Sequence, residues 1–383
     1  MSPHEQPAAG RRVHWLELLF DLVMVAYISQ VAHTMHGSPT PADGLAFAVL
    51  LALGWWAWIN ASVTMNLFGA RITPTIWVAV GFVMIAIGFI AAAVPEAFTE
   101  RAGAFALGNA VIRLVWMYPW LVKRRVTGAA WWRPWLYCFV PAALWTASVW
   151  APGPWRYVLW AAATALEVAL LVNLGRGSAW VGRAVDIDHL IERVSLLVVI
   201  VFGESVLSII SELSAHWAPA PALAALLGLM AVIVLAWMFF TLATVGVEAG
   251  LRRLRDRGSV GALRDTVMYL PVLLIAGIVL LAAGVGTAVA DAAGRLPIAA
   301  AVCIAVGICL FFLASIAESL RYGAAWRDVI AWGPAGAVLP WLLVPLSVVL
   351  TATGLIAASL LIIVACVTLS VMNTRRVRRR ARV

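Results

Sequence analysis

HLIERVSLLVVIVFGESVLSIIS, His189 to Ser211, is the stretch whose reading decides the fold. His189, Glu192 and Arg193 fall on one helical face, an apolar run follows, and Gly203, Glu204 and Ser205 interrupt it. At about 1.5 Å of rise per residue, Glu192 and Glu204 stand about 18 Å apart along the axis. A helix this long and apolar spans a bilayer, so at least one of the two carboxylates lies well inside the hydrocarbon. A charge there is costly and is retained where it faces a partner, a wet cavity or a site.

The rest of the chain has the same character. Its 383 residues are 64% hydrophobic and 12% charged, and the mean hydropathy is +0.97. Soluble domains carry about 25% charged residues, so the fold class is an all-α integral membrane protein. A net charge of +9 would raise the question of nucleic acid in a soluble chain. Here the basic residues gather in short loops between apolar runs, which is the membrane-orientation signal. Nucleic acid is therefore excluded as a partner, and the lipid bilayer is the expected one. The N-terminal MSPHEQPAAGRR leads straight into a segment containing Glu17 and Asp21, so the first helix is expected to be retained rather than cleaved as a signal. Cys138, Cys303, Cys309 and Cys366 lie in apolar runs without metal-ligand spacing and are expected to be packing residues.

Spanning segments are expected near residues 13–36, 43–65, 73–95, 97–122, 133–150, 152–175, 187–213, 218–247, 263–290, 296–320, 329–350 and 351–372. Twelve helices put both termini in the cytoplasm, and this arrangement places most of the 27 Lys and Arg on the cytoplasmic side, including the cluster from Arg252 to Arg264 and the tail. A shift of 175 residues lays HWLELLFDLVMVAYISQV (14–31) over HLIERVSLLVVIVFGESV (189–206). His14 then meets His189, Glu17 meets Glu192, and Ser29 and Gln30 meet Glu204 and Ser205. The expected organisation is two tandem six-helix halves, 1–180 and 181–372, followed by a basic cytoplasmic tail, 373–383.

The candidate site residues follow from this overlay. His14, Glu17 and Asp21 share one face of the first helix with Phe20 beside them, and Asp21 lies about two turns deep. Arg193 is its candidate partner. The paired His-x-x-Glu elements have a spacing suited to a divalent ion, but both histidines sit at the rim, where histidine also caps helices. No metal and no cofactor is expected. Gly203 would permit close backbone approach and Ser205 would hydrogen-bond Glu204. A competing reading makes the charges a clasp that locks the two halves together. Of the 20 Trp, Trp116 and others near the predicted interfaces read as belt residues, whereas Trp55, Trp56, Trp58, Trp145, Trp160 and Trp237 read as deeper. Nucleotide-binding loops and nucleophile elbows are absent, so nothing points to a nucleotide-driven pump.

At LELLFDLVMVAYISQVAH and HLIERVSLLVVIVFGESVLSI the chain resembles the bacterial low temperature requirement protein A (LtrA) family. The matching residues are Glu17, Phe20, Asp21, Gln30, His189, Glu192, Arg193, Gly203, Glu204 and Ser205. The resemblance implies a multi-pass protein of the bacterial cytoplasmic (inner) membrane. The chain departs from the family in having NLFGARITP at 66–74 in place of an Asp-rich stretch, and Tyr269-Leu270-Pro271 in place of His-Leu-Pro. Its first helix is also similar, through Phe20-Asp21, to that of a potassium-channel family with a Phe-Ser-Asp motif and six-helix repeats.

The leading expectation is a channel or secondary transporter for an ion or small solute, with Glu204, Asp21, Ser29 and Gln30 along its path. The alternatives are an integral-membrane enzyme acting on a lipid or isoprenoid by acid catalysis and a structural or stress-related membrane protein. The ion or small hydrophobic substrate is left open, and so is the oligomeric state, a homo-oligomer included.

Overall fold

Apolar runs of about 20 residues in a bilayer have no water for their peptide groups, so each closes its own hydrogen bonds as a helix. The computed structural model describes residues 13–68, 73–122, 130–175, 186–243, 250 and 260–380, and these contain helices and no strands. The boundary between the expected halves, most of the basic loops and the end of the tail lie outside the described residues.

The first six helices are α1 (Trp15–His33), α2 (Pro41–Phe68), α3 (Pro74–Ala93), α4 (Ala102–Val122), α5 (Val140–Ala147) and α6 (Gly153–Gly175). They are followed by α7 (Ile187–Ala215), α8 (Pro219–Met238), α9 (Val260–Ala290), α10 (Ile298–Arg321), α11 (Gly333–Val338) and α12 (Ala352–Arg380). Among the described residues nine helices are long and apolar enough to cross a membrane, namely α1 to α4, α7 to α10 and α12. The 23-residue α6 matches them in length.

Two segments expected as plain spans are interrupted. Residues 133–150 pass through a π-helical stretch at Trp135–Phe139 before α5. Pro141 follows at once; its ring would clash with the carbonyl four residues back, and the widened turn accommodates it. Residues 329–350 are broken into α11, a 3-10 turn at Leu339–Leu342 and a short helix at Leu343–Leu346. Pro334, Pro340 and Pro345 each remove a donor there, and so no single helix forms.

In the first half α1 packs on α3, α3 on α4, α4 on α5 and α5 on α6. In the second, α7 packs on α9, α9 on α10, α10 on α11 and α8 on α12. Helices α9 and α10 approach closely. A Cβ on Gly307 would fall 2.6 Å from the Leu281 nitrogen and 2.8 Å from the Gly277 oxygen, so the two backbones touch directly. Gly108 on α4 fits against Ile90 and Ala86 of α3. Helix α9 is the central one: 83% of its apolar window is buried, against 33% for α7.

Candidate functional site

Helices α1 and α7 meet along a seam and run parallel, since Glu17 faces His189 near their first turns and His36, just past α1, faces Glu212 near the end of α7. Polar groups occupy both ends of this seam.

The first group is fully buried. At the start of α1 the His14 ring accepts from the Leu16 N–H, and the Glu17 carboxylate accepts from the His14 N–H at 2.9 Å, forming a capping box. Glu17 then reaches across the seam, where its Oε2 lies 3.1 Å from His189 Nε2. One turn deeper, Arg193 Nη2 donates to Asp21 Oδ1 at 2.5 Å, and Arg193 Nη1 lies 3.8 Å from Glu17 Oε1. Glu17, Asp21, His189 and Arg193 are all 0% exposed.

Helix α2 completes the cluster. Trp58 Nε1 donates to Asp21 Oδ1 at 2.7 Å, and the Trp58 and Phe20 rings lie 5.5 and 5.7 Å from the Arg193 guanidinium carbon. Asn66 fixes the state of His189. Its Oδ1 accepts from the Asp186 N–H and its Nδ2 donates to the Asp186 carbonyl, so the amide orientation is set by backbone. The same Nδ2 lies 3.0 Å from His189 Nδ1, which must therefore accept. His189 is thus the neutral tautomer that donates from Nε2 to Glu17. Asp21 Oδ2 and Arg193 Nε have no hydrogen-bond partner.

The second group lines a cleft at the other end of the seam. Its walls are Ser29, His33 and His36 from the first helix and its loop, Glu204, Ser205 and Ser208 from α7, and apolar residues of α9. The enclosed space is about 20 Å³, room for a single water-sized occupant. Ser205 Oγ donates to the Val201 carbonyl, and His33 Nδ1 is bonded to the Ser29 carbonyl at 2.7 Å. The His33 and His36 rings stack at 5.1 Å. Burial, with the nearby His33, holds His36 down at about 4. Glu212 at 3.8 Å is beyond hydrogen-bonding distance and does not reverse this. Between the two groups lie Met24, Ile28, Leu197, Val198 and Val201, each no more than 2% exposed. From Asp21 to His33 the seam is about 18 Å long.

The sequence-derived residues separate accordingly. Glu17, Phe20, Asp21, His189 and Arg193 come together, and Ser29, Glu204 and Ser205 meet in the cleft. Glu192 is exposed and caps the approach to α1 by accepting from the Val13 N–H, so it does not repeat the role of Glu17. Gln30 is half-buried outside the cleft lining. The expected close approach at Gly203 does not occur. It is exposed with nothing within 4 Å of its Cβ position, in line with the outward-facing Val199, Leu207 and Ile210. Ser205 bonds backbone rather than Glu204. Trp116 is buried and Trp237 is 47% exposed, the reverse of their expected places. Among the described residues no group of three His, Cys, Asp or Glu is placed to hold a metal ion.

Trp58, Asn66, His36 and Ser208 are the site residues that spacing did not single out. A separate buried pair joins α4 and α6, with Arg113 Nη2 donating to Glu167 Oε2 at 2.8 Å and Trp56 of α2 donating to the same oxygen at 3.0 Å.

Known proteins give this geometry a context. The chain is similar to "Uncharacterized protein RA0937" of Rhizobium meliloti (strain 1021), with 25% identity over 230 residues. The match spans 54% of this chain and 56% of that protein's length. The sequence model of the family described as "Bacterial low temperature requirement A protein (LtrA)" matches residues 12–369, both polar groups of the seam included, and the chain belongs to that family.

Proposed function

We propose that this LtrA-family membrane protein is a channel or secondary transporter for an ion or small solute and that its path follows the α1/α7 seam. One observation carries the reading. The seam holds polar groups at both ends, and an apolar layer of about two to three turns separates them, with Met24, Leu197 and Val198 in its middle and Ile28 and Val201 in the cleft lining. A path closed over so short a stretch is one that a small helix displacement opens. Glu204 lines the outer end, and Asp21, with one unpaired oxygen, lies at the inner end.

The finer architecture in this reading is twelve crossings in two six-helix halves, residues 1–180 and 181–372, with both termini in the cytoplasm of a bacterial cell. The parallel course of α1 and α7 supports an even number of crossings between them. The matching packing order and the paired Gly108 and Gly307 contacts support the repeat. The short α5 and the broken α11 count as crossings.

The clasp reading draws on the two buried pairs, Arg193 with Asp21 and Arg113 with Glu167. Flux measurements on purified protein in liposomes separate the two readings. Transport predicts an ion or proton flux that falls at least about tenfold in Glu204→Gln, as expected when one charged contact is lost. Liposomes that pass no ion or proton, or a Glu204→Gln variant equal to wild type, leave the clasp.

A further inference from the structure

The cleft at the outer end of the seam has a definite electrical and chemical character. Its lining contains no Lys or Arg. Among the described residues Glu204 makes no hydrogen bond and no ion pair, and its half-buried side chain lines the cleft. Ser205 spends its proton on the Val201 carbonyl, so its oxygen presents only lone pairs to the cleft. Glu204, Ser208 and Glu212 follow one another at four-residue intervals along one face of α7.

Gly286 of α9 lies beside this lining, close to His36 and Ser208. A Cβ there would lie 3.3 Å from His36 Cε1, 3.5 Å from Ser208 Oγ and 3.6 Å from Glu212 Cγ, so these groups converge on one small space. Hard oxygen donors beside the Glu204 carboxylate suit an oxygen-seeking cation. Glu212 has the imidazoles of His36 and His216 at 3.8 and 3.6 Å and lies outside the lining, so Glu204 is the one carboxylate of the lining and one positive charge balances it.

We propose that this cleft binds a small monovalent inorganic cation, held by the Glu204 carboxylate and the hydroxyl oxygens of Ser205 and Ser208, with His33 and His36 at its mouth. This names the ion for the path proposed above and rests on that reading. The titratable groups around the site are His33 from α1, His36 from the loop after it, and Glu204, Glu212 and His216 from α7. Helix α9 adds only Val279, Ala282 and Ala283 to the lining.

The test uses the full chain in detergent, with NaCl or KCl replacing choline chloride at constant ionic strength and thermal unfolding followed by tryptophan fluorescence. The wild type is expected to show a saturable rise of the midpoint with Na⁺ or K⁺ at pH 7.5. Glu204→Gln is expected to weaken the apparent affinity roughly tenfold or more. Glu204→Asp should retain it. Gly286→Ala sets a methyl against His36 and Ser208 without altering charge and should weaken it, which keeps the test open if Glu204→Gln does not fold. The proposal is overturned if choline stabilises equally, if Glu204→Gln responds like wild type, or if only Zn²⁺ stabilises. Saturable, Glu204-dependent binding in a protein that passes no ions keeps the cation site and removes transport. Ion flux with binding indifferent to Glu204 does the opposite.

Discussion

Arg193 stands between two carboxylates and two aromatic faces, with no exposed surface on it or on the three titratable groups of its cluster, Glu17, Asp21 and His189. Removing one member leaves its partner as an uncompensated buried charge, which costs about 3–5 kcal/mol. Arg193→Met should therefore lower stability by about that amount, and the double variant with Asp21→Asn should lose less than the sum of the two singles. Chemical unfolding in detergent gives all three values. A second prediction belongs to His36. Its neutral form is favoured in the fold, with the titration held at about 4 against an ordinary 6.5. As pH falls through that window the unfolded chain takes up a proton that the folded one refuses, so stability drops between 6.5 and 4 and then levels off. His36→Gln should flatten that part of the midpoint-against-pH curve. Glu17, Asp21 and Arg193 were legible in the sequence because charges stand out in an apolar run. Trp58 and Asn66 were not, since a tryptophan or asparagine in an apolar helix carries no spacing that says which group it bonds.

Two glycines show how differently the same residue serves two helices. Gly307 of α10 lies against the backbone of α9, where an added methyl meets atoms that cannot rotate away. Gly307→Ala should destabilise by about 1–3 kcal/mol, the usual range for overpacking. Gly203 of α7 faces outward with open space around it, and Gly203→Ala should leave the thermal midpoint unchanged or slightly raised. Thermal unfolding of the two variants side by side checks both. The long helices were readable from run length alone. The interruptions at residues 135–139 and 339–346 were less so, because prolines announce a break without saying whether the helix widens, tightens or ends.

Across the molecule, the closed layer between the two polar groups is a single apolar band. Val201→Asn would place an amide in that band, and the expected result is a raised ion leak in liposomes relative to wild type. Hydropathy made the membrane class legible, but it could not rank the helices from centre to rim. Lipid tails are as apolar as a packed core, so the 83% buried α9 and the 33% buried α7 read alike. The glycine contact between α9 and α10 also bears on motion. With backbone against backbone at Gly277 and Gly307, neither helix can turn or slide without opening a void. These two helices form a fixed post, and in the proposed path any opening of the seam would fall to α1 against α7, where the contact is made by side chains that can change rotamer. Spin labels placed across α9 and α10 should keep one distance under all conditions, while a pair across α1 and α7 should show two.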